Sequence, residues 1–237
     1  MPTGLLLLAH GSTDPRHAAT LRAVADDVRG DVEADVALGF LEHDSPSAAE
    51  ALQDLTGTNR RVVAVSLLLA DGFHAEVDVP AVLAQAPAHR PVEHAGTLGL
   101  GPWLVPVLER RASSAGAAPG SDRPVVLCAA GSSRDAAREQ VADLAQQWSA
   151  LRRTPVTVAF ATGPGPSLAE ALTAAGRPAV VVPLLLCEGG IYDRIVDGGR
   201  AHAAIVTPAI APANELTDRI VALARGQVVL PDTSVSV

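Results

Sequence analysis

The sequence predicts an α/β protein made of two repeated lobes, each a small parallel sheet flanked by helices. Its segments recur at a near-constant offset, and short apolar runs alternate with longer amphipathic stretches. Leu7-Leu8-Ala9-His10-Gly11-Ser12 returns as Leu127-Cys128-Ala129-Ala130-Gly131-Ser132, at an offset of 120. Ser45-Pro46-Ser47-Ala48-Ala49-Glu50-Ala51-Leu52 returns as Gly165-Pro166-Ser167-Leu168-Ala169-Glu170-Ala171-Leu172, again at 120. Val63-Ala64-Val65-Ser66-Leu67-Leu68-Leu69 returns as Val180-Val181-Val182-Pro183-Leu184-Leu185-Leu186, at 117. Three collinear matches with so little drift mark a duplicated fold.

In the first half, residues 4–9, 35–41, 61–69 and 91–94 are short, Val- and Leu-rich runs that predict strands. Residues 16–29, 47–56, 75–85 and 102–112 place apolar side chains three and four apart and predict helices. Ser45 ahead of Pro46 suits an N-cap with proline in the first turn, and Gly57 suits a C-cap. Alternation of strand and helix implies right-handed βαβ units and a parallel sheet covered on both faces. Residues 113–123, rich in Ser, Ala, Gly and Pro, are the expected linker between a lobe at 1–112 and one at 124–226. Residues 227–237 read as a frayed tail.

With 237 residues, 48% of them hydrophobic, and a mean hydropathy of +0.25, the chain has ample material for a buried core, which excludes disorder as its main state. Eighteen basic against 26 acidic side chains give a net charge of −8, which argues against nucleic acid as a partner. Its apolar runs predict no membrane span, and two cysteines are too few for a disulfide framework, so a soluble cytoplasmic protein is expected. Cys128 and Cys187 read as buried thiols. Every basic side chain is an arginine, which excludes lysine Schiff-base chemistry and the P-loop lysine. Anions must then be held by arginine, helix N-termini or backbone N–H groups.

Ligands of open parallel sheets bind beyond the carboxyl ends of the strands. His10, Glu42 and His74 follow the first three predicted strands and converge there if the first strand is central. Two imidazoles and a carboxylate can hold a divalent transition metal and leave positions open, and imidazoles also accept protons near neutrality. The second half keeps the surrounding glycines, serines and leucines but has Ala130, Thr162 and Ile191 at the three positions. One working site in the first lobe, with the second cradling a substrate, explains that loss. Ser12, Arg16, Ser132 and Arg134, in or before the helices that follow, are the expected anion-binding residues. His43 is a spare ligand candidate expected to be exposed, Asp78 a helix N-terminal acid, and His17, His89, His94 and His202 surface or helix-end residues.

His10-Gly11-Ser12, Phe40-Leu41-Glu42, Gly72-Phe73-His74 with Asp78-Val79-Pro80, and Leu98-Gly99 with Pro102 resemble the sirohydrochlorin chelatase family of the CbiX/SirB type. The resemblance runs over about residues 4–225 and fits that family's long, two-lobed members; Ala75-Glu76-Val77 departs from it, lacking the basic residue often found there. It implies a chelatase-like fold and a lyase that inserts a divalent metal, Fe2+ first or Co2+, into sirohydrochlorin, a reduced tetrapyrrole with eight carboxylates, in siroheme or cobalamin biosynthesis. It also implies His10 and His74 as metal-binding and proton-accepting residues, Glu42 as the assisting carboxylate, and no cofactor beyond the substrate metal. The alternative is a non-catalytic tetrapyrrole or metal carrier on the same fold.

Overall fold

The structure, a computed structural model, describes residues 3–70, 74–90 and 92–226, and of His74 and Ala75 the backbone alone. Pro91, the Gly72-Phe73 pair and the expected tail at 227–237 lie outside the described residues.

The first sheet contains β1 (Thr3–Ala9), β2 (Asp35–Phe40), β3 (Arg61–Ser66) and β4 (Val92–Thr97) in the order β2-β1-β3-β4, every pair parallel. The second contains β5 (Val125–Ala129), β6 (Val156–Phe160), β7 (Val180–Leu184) and β8 (Ile205–Val206) in the matching order β6-β5-β7-β8, again parallel. β1 and β5 are therefore interior strands, which puts the ends of β1, β2 and β3 side by side as the sequence requires.

Because side chains alternate along a strand, each lobe has two apolar layers. Leu5, Leu7 and Ala9 face α1 (Pro15–Asp31), whose Ala18, Leu21, Val24, Ala25 and Val28 recur with helical spacing. Leu6 and Leu8 face α2 (Ala48–Thr58) through Ala48, Ala51, Leu52 and Leu55. In the second lobe Val125 and Leu127 meet α5 (Asp135–Arg152), and Val126 and Cys128 meet α6 (Leu168–Ala175) and α7 (Gly190–Ala201). The fourth helices are exchanged. α4 (Val105–Ser114) buries Val105, Val107 and Leu108 against the second lobe's sheet, and α8 (Asn214–Ala224) buries Leu216, Ile220 and Leu223 against the first.

Several boundaries move from the sequence expectation for local reasons. The N-cap of α2 is Ser47, two residues beyond Ser45, because Ser47 and Glu50 form a capping box; Ser167 and Glu170 repeat it on α6. α2 runs through Gly57 and ends at Asn59, whose N–H donates to the Leu55 carbonyl. The helix expected at 75–85 is a π-helical turn, His74–Asp78, leading into α3 (Val79–Leu83). Pro80 brings no N–H to that junction, so an unbroken i→i−4 ladder cannot cross it. Pro106 likewise separates the 3-10 turn Pro102–Leu104 from α4. β3 ends at Ser66 rather than at residue 69; after Leu67 donates to the Leu8 carbonyl, the chain turns away between the lobes. In the segment expected as linker, Ser113 and Ser114 belong to α4 and Ala117 is fully buried beside the second sheet.

Candidate active site

A cleft of about 490 Å³ opens between the carboxyl ends of the two sheets. The first lobe lines it with residues 10–12, His17 and residues 67–70, and the second with residues 129–132, Phe160 and residues 184–192. Most of this wall is aliphatic, and polar groups are confined to a few places.

His10 leaves the end of β1 at a turn that only glycine can follow. Gly11 has φ +95°, and a Cβ on it would lie 1.7 Å from the Glu42 carbonyl oxygen. That close approach lets the loop after β2 clasp the turn: the Glu42 N–H donates to the His10 carbonyl at 2.9 Å, and the Ser12 N–H to Asp44 Oδ2 at 3.0 Å. The side chains follow the backbone. His10 Nδ1 lies 2.9 Å from the Gly11 carbonyl oxygen and 3.2 Å from Glu42 Oε1. Both neighbours are acceptors, so Nδ1 is the nitrogen placed to donate. A carboxylate behind one imidazole nitrogen is the arrangement that orients metal-binding histidines.

His43 is half-exposed, as expected, yet it also points at Glu42, with Nε2 3.5 Å from Oε1. Its backbone is left-handed, φ +65°, which costs an L side chain about 1–2 kcal/mol. His74 opens the π-helical turn, and its side chain lies outside the described residues. Among the described residues no three His, Cys, Asp or Glu side chains group closely enough to hold a metal ion. The described geometry thus pairs His10 with Glu42, and for His74 it gives the position of the backbone.

The expected anion-binding residues are placed differently. Ser12 and Ser132 line the cleft, but each hydroxyl accepts a backbone N–H two residues on, from Asp14 and Arg134. Arg16 is engaged by two carboxylates: Asp14, and Asp193 on α7 of the other lobe at 2.6 Å. Its hydrogen bonds hold the Asp14 carboxyl down at about 2. Arg134 donates to Glu76 Oε1 across the lobes at 2.9 Å. Glu76 and Asp193 are 117 apart, the repeat offset. Glu76 thus takes part in one of two cross-lobe ion pairs at related positions of the repeat. Both arginines bridge lobes rather than stand open to a ligand, because facing lobes bring carboxylates that no local pattern announces.

Of two further histidines, His17 departs from the surface reading and His94 is exposed as expected. His17 lines the cleft, its Nδ1 is buried without a partner, and burial pushes its pKa down, with nearby His10 acting in the same sense and Asp44 and Asp14 opposing. His94 on β4 is paired at 3.0 Å with the buried Ser66 hydroxyl, and burial lowers it too. His17 could have been found from its place on α1, one helical turn after the Gly11 turn. Cys187 also lines the cleft, but burial pushes its thiol up to about 12, so it is no thiolate ligand near neutrality.

The chain matches the CbiX family over residues 4–115 and 124–221, which takes in both lobes. It belongs to that family. A curated relative, the sirohydrochlorin cobaltochelatase of Methanothermobacter thermautotrophicus, is 32% identical over 81 residues, 34% of this chain and 57% of the relative's own length. The chain therefore spans little more than half of that CbiX relative. SirB from Bacillus subtilis, solved with Fe3+, superposes with a TM-score of 0.80 at 22% identity, over 96% of this chain and 97% of that one. SirB from Bacillus subtilis subspecies spizizenii, solved with cobalt, gives 0.81 at 19% identity, over 95% and 94%. These likenesses establish a chelatase-like fold for this member of the CbiX family, two four-stranded parallel sheets flanked by helices. None of the helices among the described residues is long and apolar enough to cross a membrane.

Proposed function

We propose that this protein is a lyase that inserts a divalent metal, Fe2+ or Co2+, into sirohydrochlorin in the cytoplasm. The observation that carries the reading is His10 at the wall of the inter-lobe cleft, with Nδ1 2.9 Å from the Gly11 carbonyl oxygen and 3.2 Å from the Glu42 carboxylate. Insertion exchanges one M2+ for the two N–H protons of the macrocycle. An imidazole can hold an incoming Fe2+ or Co2+ without trapping it, and can accept a departing proton within hydrogen-bond reach. Glu42 stabilises the charge that His10 acquires in either role. His74, brought by the turn that follows β3, is the second imidazole of this reading. The aliphatic wall built from both lobes suits the face of a flat macrocycle. Its carboxylates project toward solvent in this reading, which agrees with Arg16 and Arg134 already being engaged by protein carboxylates.

Anaerobic steady-state assays of metal insertion, followed by the visible absorption of the macrocycle with Fe2+ and with Co2+, test this reading. Turnover well beyond one equivalent is expected. A signal that stops at one equivalent would instead identify a carrier, and no signal with either metal would refute both.

A further inference from the structure

In the first lobe the loop after β2 runs Glu42-His43-Asp44, and its repeat after β6 runs Thr162-Gly163-Pro164. The two loops are pinned alike: residues 41 and 161 donate to the carbonyls of Ala9 and Ala129, and residues 42 and 162 to those of His10 and Ala130. Both are left-handed at the next residue, with φ +65° at His43 and +74° at Gly163. The second lobe fills that position with glycine, which adopts the conformation without strain, and the first lobe fills it with histidine, which does not. The imidazole is not needed for the left-handed backbone at this position, since glycine adopts it in the second copy. Nor does it fill a core, because its side chain is 45% exposed. What it contacts is the Glu42 carboxylate, at the same Oε1 that faces His10 Nδ1.

We propose that His43 is a positioning residue, presented by a strained backbone so that it holds the Glu42 carboxylate against His10 Nδ1 and fixes the orientation of the His10 ring. This deepens the metal-insertion reading and rests on its assignment of His10 and Glu42. Without His43, the Glu42 carboxylate, 41% exposed, keeps only its contact with His10 among the described residues. With it, two imidazole nitrogens face the same carboxylate oxygen, at 3.2 and 3.5 Å.

His43→Gly separates this role from a structural one, because it installs the residue that the second lobe already uses. The test measures thermal unfolding, Co2+ affinity by calorimetry on the full chain, and kcat and KM for insertion. In His43→Gly the expected results are an unchanged or raised Tm, Co2+ affinity weakened roughly 3- to 10-fold, and a fall in kcat at nearly constant KM for the macrocycle. His43→Asn tolerates the left-handed backbone, can donate to Glu42, and should recover most of the affinity. A His43→Gly protein with native Co2+ affinity would overturn the proposal, as would one whose affinity falls only in step with a lowered Tm. If the native protein shows no insertion, the functional reading fails, while the Co2+ comparison still decides the role of His43.

Discussion

The turn after β1 and the turn after β5 are built on the same plan. Gly11 and Gly131 are both left-handed, and a Cβ on either would strike the carbonyl oxygen of residue 42 or 162, at 1.7 and 1.9 Å. Each is followed by a serine that caps the same short turn, and each pins the loop from the neighbouring strand by the same backbone bonds. Around this common scaffold the first lobe sets His10, Glu42 and His43, and the second sets Ala130, Thr162 and Gly163. Thr162 turns its hydroxyl back onto the Ala130 carbonyl at 2.8 Å, a purely internal bond. The comparison teaches that scaffold and side-chain chemistry are separable: the glycine turns hold the loops, and one copy alone carries imidazole and carboxylate groups on them.

That separation can be broken most sharply at His10. His10→Ala should lower metal insertion by at least about 100-fold with the fold intact, the range expected for loss of a general base or metal ligand, whereas Thr162→Ala in the second lobe should leave turnover within about 2-fold; insertion assays with circular dichroism check both. Next come the exchanged helices. Ile220→Ala should cost about 2–5 kcal/mol, and hydrogen exchange should show the lost protection first in β1 and β3, on the other lobe. If protection is lost first in β5 and β7, the exchange is wrong.

Gly11→Ala and Gly131→Ala should each destabilise by more than about 1 kcal/mol, to a similar extent in thermal melts. Only the first should also depress insertion disproportionately, which would confirm that the scaffold is shared and the chemistry is not. A weaker effect belongs to pH. Burial raises Cys128 and Cys187 from about 9 to about 12. Between those values the unfolded chain has lost protons that the folded chain keeps, so stability falls as pH rises through that window. The alkaline slope of Tm should shrink in Cys128→Ala. The smallest effect should come from Glu76→Gln, which removes one half-exposed cross-lobe ion pair; Tm should barely move, and any change should vanish at high salt.

Much of this molecule was legible in one dimension. The repeat offset announced two lobes, the alternation of Leu5 and Leu7 with Leu6 and Leu8 announced a sheet covered on both faces, and the missing twins of His10 and Glu42 set the first lobe apart from the second. Those features are local because backbone sterics and side-chain period act over a few residues. Tertiary structure decided what periodicity cannot encode, namely which surface a given face meets. An apolar stripe on 105–112 specifies that α4 is buried but not that the opposite lobe buries it. Likewise Arg16 meets Asp193, 177 residues away, and His17 comes to line a cleft, because apposed lobes bring together groups that no spacing along the chain relates.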